Sequence, residues 1–200
     1  MDWLTPLTGI VGVVVGALTS YASTHQVQKR QLADARLARE EAERAAVVAA
    51  NAGALTALLG YVRKMPPDST LVDVPSAAHG QLAEREQAWA KELDEYLEPA
   101  RVAALEVRDE QLRTLLLDGL TWIHAWDWID LDPYRRSREW LMQGTIQHLI
   151  SCVFAWRRGD ARMPEPNGAY ARYKEAWEYE EERQRIEAEE NEAERRGQRH

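Results

Sequence analysis

The 200-residue chain has a single cysteine, Cys152. One thiol cannot build an intramolecular disulfide framework or a Cys-rich zinc module, and it fits a reducing cytoplasm. A surplus of positive charge is also missing. Lys and Arg together number 25 against 33 Asp and Glu, for a net charge of −8. That balance speaks against nucleic acid as a partner and against broad adhesion to anionic lipid. The chain holds no Gly-rich phosphate loop, no H-E-x-x-H and no G-x-S-x-G. The motif-borne routes to phosphoryl transfer, zinc hydrolysis and acyl transfer are therefore absent. Nor does any long stretch alternate apolar and polar residues at the period of a strand. The expected fold class is all-α.

Charge is also absent from residues 3–24, WLTPLTGIVGVVVGALTSYAST, which contain no Asp, Glu, Lys, Arg or His. Asp2 precedes them, and the next full charge is Lys29. About 20 residues of helix at roughly 1.5 Å each match the roughly 30 Å hydrocarbon layer of a bilayer. Pro6 falls in the first turn, where a missing N–H costs little. Trp3 and Tyr21 lie near the two ends, as interfacial aromatics do. The stretch reads as a retained transmembrane anchor. A cleaved secretory signal is the rival reading, because Ser20-Tyr21-Ala22 has cleavage-like small residues, but a signal wants a basic n-region and here stands Asp2. Lys29, Arg30, Arg36 and Arg39 flank the C-terminal end against Asp34 alone. By the positive-inside rule this predicts a single-pass plasma-membrane protein, N-terminus outside and C-terminal bulk cytoplasmic.

Thr8, Gly12, Gly16 and Ser20 recur every four residues along the span. Small residues on one ridge let two membrane helices approach closely, so a homo-oligomer is expected through this face. The next helix repeats the pattern more weakly. Alternating steps of three and four pick out Gln28, Gln31, Ala35, Ala38, Ala42, Ala45, Ala49, Ala52 and Thr56. Such an Ala seam permits a weak coiled coil but buries little area, and Leu32 and Leu37 fall off it.

The layout predicted from these patterns is an anchor over 1–24, a charged stalk helix over 25–44, a small antiparallel helical bundle over 45–168 and a charged C-terminal helix over 169–200. Residues 65–76, with three prolines, form the clearest loop. A second helix is expected over 77–97, and a third from Pro99 as its first residue to about Ile129. A fourth should open at Asp132-Pro133, as N-cap and first turn, and end near Arg158 with Gly159 in the C′ position. After Trp177 the last helix loses its apolar residues and is expected to be solvated.

Few residues invite a site. Trp122, Trp126 and Trp128 sit in an aromatic block; Trp at helical spacing is core, a protein-binding surface or the wall of a ligand pocket. Asp127, Asp130 and Asp132 lack the spacing of a calcium loop and are followed at once by Arg135, Arg136 and Arg138. His148 and Cys152 are one turn apart, with His124 on the preceding helix, but no fourth metal ligand stands at motif spacing. A Cys–His nucleophile would need an orienting group and an oxyanion donor that the sequence does not offer. No catalytic residue, cofactor or metal is expected.

The opening MDWLTPLTGIVGVVVGALTSYAS, the charged Ala/Arg/Glu helix after it and the W-R-R-G-D step at 156–160 resemble a loosely related group of small actinobacterial and actinophage membrane proteins. The resemblance covers the whole layout and implies no activity. The expected function is a non-enzymatic, membrane-tethered helical scaffold or interaction protein with a cytoplasmic protein partner. The alternative is a membrane-active accessory factor, such as a phage-type lysis or pore component.

Overall fold

A computed structural model describes the backbone of residues 4–66, 76–128 and 137–197, and the side chains of 28–66, 80–128, 137–192 and 195–196. The described chain is all-α. Its helices are α1 (Leu4–Val62), α2 (Ser76–Leu105), α3 (Glu110–His124), α4 (Arg138–Arg158) and α5 (Gly168–Gly197). Two compact units divide the chain, Met1–Ala45 and Ala46–His200.

The first unit consists of the N-terminal part of α1. Its side chains over 28–45 are all exposed, including Leu32 at 63% and Leu37 at 59%. Residues 4–24 have helical backbone, but their side chains, with Thr8, Gly12, Gly16 and Ser20 among them, lie outside the described residues. One helical stretch among the described residues, Gln28–Val62, is long and apolar enough to cross a membrane by length and composition. Its apolar part is the end of α1, where Val48, Leu55, Leu58, Leu59 and Val62 are buried in the bundle. The bundle takes up one face of this stretch, 39% of its apolar window, without a bilayer.

In the second unit, steps of three and four along each helix turn one face inward. α1 contributes Val48, Asn51, Leu55, Leu58 and Val62; α2 contributes Trp89, Leu93, Leu97, Ala100 and Ala104; α3 contributes Leu112, Leu116, Leu120 and Ile123. Asn51 is the polar member of this line. Its amide donates to the carbonyls of Val47 and Ala103, both at 2.9 Å, which ties α1 to the end of α2. A buried amide without such partners would cost about 1–3 kcal/mol.

The helix boundaries depart from the expected ones between α2 and α4. Pro99 does not open a helix; it lies inside α2. An interior proline forfeits a hydrogen bond and costs roughly 3 kcal/mol. Here Leu97, Ala100 and Ala104, all at 1% exposure or less, hold the flanking turns in the core, and that packing outweighs the loss. The break falls later. Val107, itself buried, donates its N–H to the Ala104 carbonyl at 3.1 Å, and Asp109 caps α3 by accepting from the Leu112 N–H at 2.9 Å. α3 stops at His124 rather than near Ile129. α4 opens at Arg138, where the Ser137 hydroxyl accepts from the Trp140 N–H at 3.2 Å. The predicted Asp132-Pro133 cap lies outside the described residues. At the other end Gly159 adopts the left-handed conformation (φ 73°), as its C′ reading requires.

α4 and α5 cross closely. A Cβ placed on Gly144 would collide with the Ala169 Cβ. At this crossing Asn167 donates to the Gly144 carbonyl at 2.7 Å and accepts from the Tyr170 N–H at 2.8 Å, so one side chain both caps α5 and clips it to α4. Ala169, Tyr170, Tyr173 and Ala176 are core residues, and the bundle therefore extends past residue 168. Beyond Glu180 the described side chains of α5 are exposed. Ion pairs such as Arg185 with Glu182 (2.7 Å) and Arg196 with Glu192 (2.5 Å) line that part.

Candidate functional site

The aromatic block is where the sequence offered three readings, and Trp122 and Trp126 both lie in the core. Trp122 is 6% exposed and Trp126 8%, so neither forms a free partner surface. Trp126 stands edge-on to Trp89 (5.4 Å between centroids, 85° between planes), with the Arg138 guanidinium 5.2 Å above its ring. Arg138 also approaches Glu86 of α2 at 3.5 Å. The Tyr173 hydroxyl donates to the Trp122 carbonyl at 2.7 Å, joining α5 to the end of α3. Trp128 is half-buried and packs on Trp177 at 4.5 Å. Large rings at helix ends are thus spent on closing the bundle.

His148 and Cys152 do meet: Cys152 Sγ lies 3.5 Å from His148 Nε2, inside the core. Burial pushes the Cys152 thiol up to about 11 and the His148 imidazole down, so both are neutral near pH 7. A protonated, enclosed thiol is a packing group rather than a nucleophile. His124 is not brought to them. It is exposed and pairs with Asp94 of α2 at 3.0 Å. Among the described residues no group of three or more His, Cys, Asp or Glu could hold a metal ion.

Among the described residues, one groove that the sequence did not assemble is open to a ligand. A groove of about 460 Å³ runs between α3 and α5, lined by Glu110, Leu115, Asp118 and Trp122 from one helix and Tyr170 and Lys174 from the other. Its volume falls in the range of small-molecule and side-chain pockets. Glu110, Thr114, Asp118 and Trp122 follow one another at four-residue steps, which places them along one line of α3. Three polar residues in line, ending on a Trp, are the signal that could have found it.

The two aromatic walls touch, with the Trp122 and Tyr170 centroids 5.2 Å apart. Behind them Tyr170 packs on His148 at 4.3 Å. Desolvation and the nearby Glu181 carboxylate raise the Asp118 carboxyl above its ordinary range, and Lys174 partly offsets this. Burial likewise pushes the Tyr170 phenol up to about 12, helped by Asp118 and Cys152. Lys174 also approaches Glu178 at 3.6 Å. The groove thus combines aromatic and aliphatic walls with a carboxylate whose charge is incompletely compensated. Such an arrangement suits the binding of a cationic group. Compared with known proteins, the chain matches no family model, no curated protein and no solved structure.

Proposed function

We propose that the chain is a non-enzymatic helical scaffold, tethered to a membrane by residues 3–24 and presenting its bundle to a protein partner in the cytoplasm. The observation that carries this reading is the make-up of α1. One uninterrupted helix, Leu4–Val62, includes a charge-free apolar run, an exposed charged stretch over 28–45 and a turn-by-turn core face from Val48 onward. A helix that belongs to the bundle core carries the apolar run into the same continuous element. The bundle buries Val48, Leu55, Leu58, Leu59 and Val62 of the later apolar stretch, whereas residues 3–24 form a second apolar run on the same helix that the bilayer would bury.

The exposed stretch supports self-association as well. Ala35, Ala38, Ala42, Ala45 and Ala49 are all exposed in the monomer, so the seam is available to a second copy, in line with Thr8, Gly12, Gly16 and Ser20 in the span. The experiment is topology in cells: reporters active on one side only, fused to the C-terminus, together with protease accessibility of membranes. A full-length chain with a protected, cytoplasmic C-terminus is the expected result. A shortened, exported chain would overturn the tether and make the apolar run a signal. Leakage on expressing residues 1–30 alone would favour the pore-component alternative.

A further inference from the structure

We propose that the groove between α3 and α5 docks a basic segment of a partner polypeptide, seating an arginine or lysine side chain with its cationic end at Asp118. Three carboxylates, Glu110, Asp118 and Glu181, face or influence this groove against one ammonium, Lys174, which is shared with Glu178. A guanidinium or ammonium brought to Asp118 supplies the charge that the site lacks. Its aliphatic stem can lie along the half-buried Leu115, beside the narrow edges that Trp122 and Tyr170, at 6% and 7% exposure, leave open.

The shape favours a polypeptide over a free small cation. From Glu110 to Trp122 the lining face of α3 runs for roughly 18 Å, at 1.5 Å per residue, and the groove is open along its side. A free amine would fill one part of such a slot, whereas several residues of an extended or helical segment span it. Exposed charge pairs gain little alone, so the contact with Asp118, itself exposed, adds to that with Glu110 on the same line of α3. The proposal takes its partner from the interaction-protein reading but does not need the tether, so an exported chain in the topology test would leave it standing.

The test is fluorescence anisotropy on the full chain in nonionic detergent, with a fluorescein-labelled nine-residue peptide of alternating arginine and alanine. The paired substitution Glu110→Gln with Asp118→Asn should weaken binding about tenfold. Removing the same number of charges from the exposed part of α5, by Glu189→Gln with Glu190→Gln, should change it less than about twofold. Lys174→Gln should tighten binding about threefold, a gain that a damaged fold does not give. Equal weakening by the two double variants would overturn the proposal, since attraction to a chain of net charge −8 would then explain the binding. So would a Lys174→Gln chain that binds no tighter, or spermidine competing as well as unlabelled peptide at equal cation concentration.

Discussion

Gly144→Ala puts a number on the crossing of α4 and α5. In an exposed helix interior this change gains about 1 kcal/mol from helix propensity. At Gly144 the new methyl would overlap the Ala169 Cβ, while the Ala169 Cα stands 3.6 Å away. Carbon atoms pack at about 3.5–4.0 Å, so α5 must withdraw by over an ångström. Overpacking of that kind costs about 1–3 kcal/mol. The withdrawal also stretches the 2.7 Å bond from Asn167 to the Gly144 carbonyl and disturbs the cap at Tyr170, worth about 1 kcal/mol more. After the propensity gain, the net loss is about 2 kcal/mol, or roughly 4–8 °C in Tm for a unit of this size. Gly53→Ala and Gly60→Ala serve as internal references. Both sites are exposed in α1 with nothing within 4 Å of an added Cβ, so each should gain up to about 1 kcal/mol. Urea unfolding followed by far-UV circular dichroism measures all three. A Gly144→Ala chain as stable as the wild type would refute the close crossing.

Other perturbations probe the core. Trp126→Ala should cost roughly 3–5 kcal/mol, and Trp128→Ala, at a half-buried ring, about 1–2 kcal/mol; equal losses in calorimetry would contradict their different burial. The Thr145 hydroxyl is buried without a hydrogen-bond partner, so Thr145→Val should leave stability unchanged or raise it by up to about 1 kcal/mol, and a clear loss in urea unfolding would imply a partner. The buried pair His148 and Cys152 sets two pH limbs. Because folding lowers the His148 pKa, its contribution is present above about 6.5 and is lost as pH falls below that value. Because folding raises the Cys152 pKa from 9.0 to about 11, stability is intact below 9 and falls between those values, by at most about 3 kcal/mol. Cys152→Ala should delay the alkaline loss until the Tyr61 and Tyr170 phenols titrate, between 10 and about 12. An unmoved onset in pH-jump unfolding would assign that limb elsewhere.

The helical architecture was legible because burial follows the 3.6-residue period: spacing alone puts Leu105, Leu112, Leu116, Ile123 and Trp126 on one stripe, and all are buried except Leu105, which ends α2 at 61% exposure. Gly159 was legible because only a left-handed residue stops a helix in that way. The break between α2 and α3 was not. Pro99 carries the strongest local signal in the region, yet it is overruled by long-range packing of Leu97, Ala100 and Ala104, and the weaker Asp109 cap decides. Tyr170 and Tyr173 were hidden for a similar reason. They sit among charged residues, and only the approach of α3 and α4 makes that face of α5 apolar. The groove was invisible because Asp118 and Lys174 lie 56 positions apart on helices whose pairing no local pattern encodes.

The lone cysteine gives the chain a built-in clock. Cys152 is fully enclosed and its thiol stays protonated, so an added disulfide reagent can reach it only when the bundle opens. With no second sulfhydryl to confuse the signal, the labelling rate at saturating reagent equals the opening rate, and at low reagent it reports the opening equilibrium. Without any engineered label, one colour change would show how often α4 leaves its neighbours, and whether a bound basic peptide slows it.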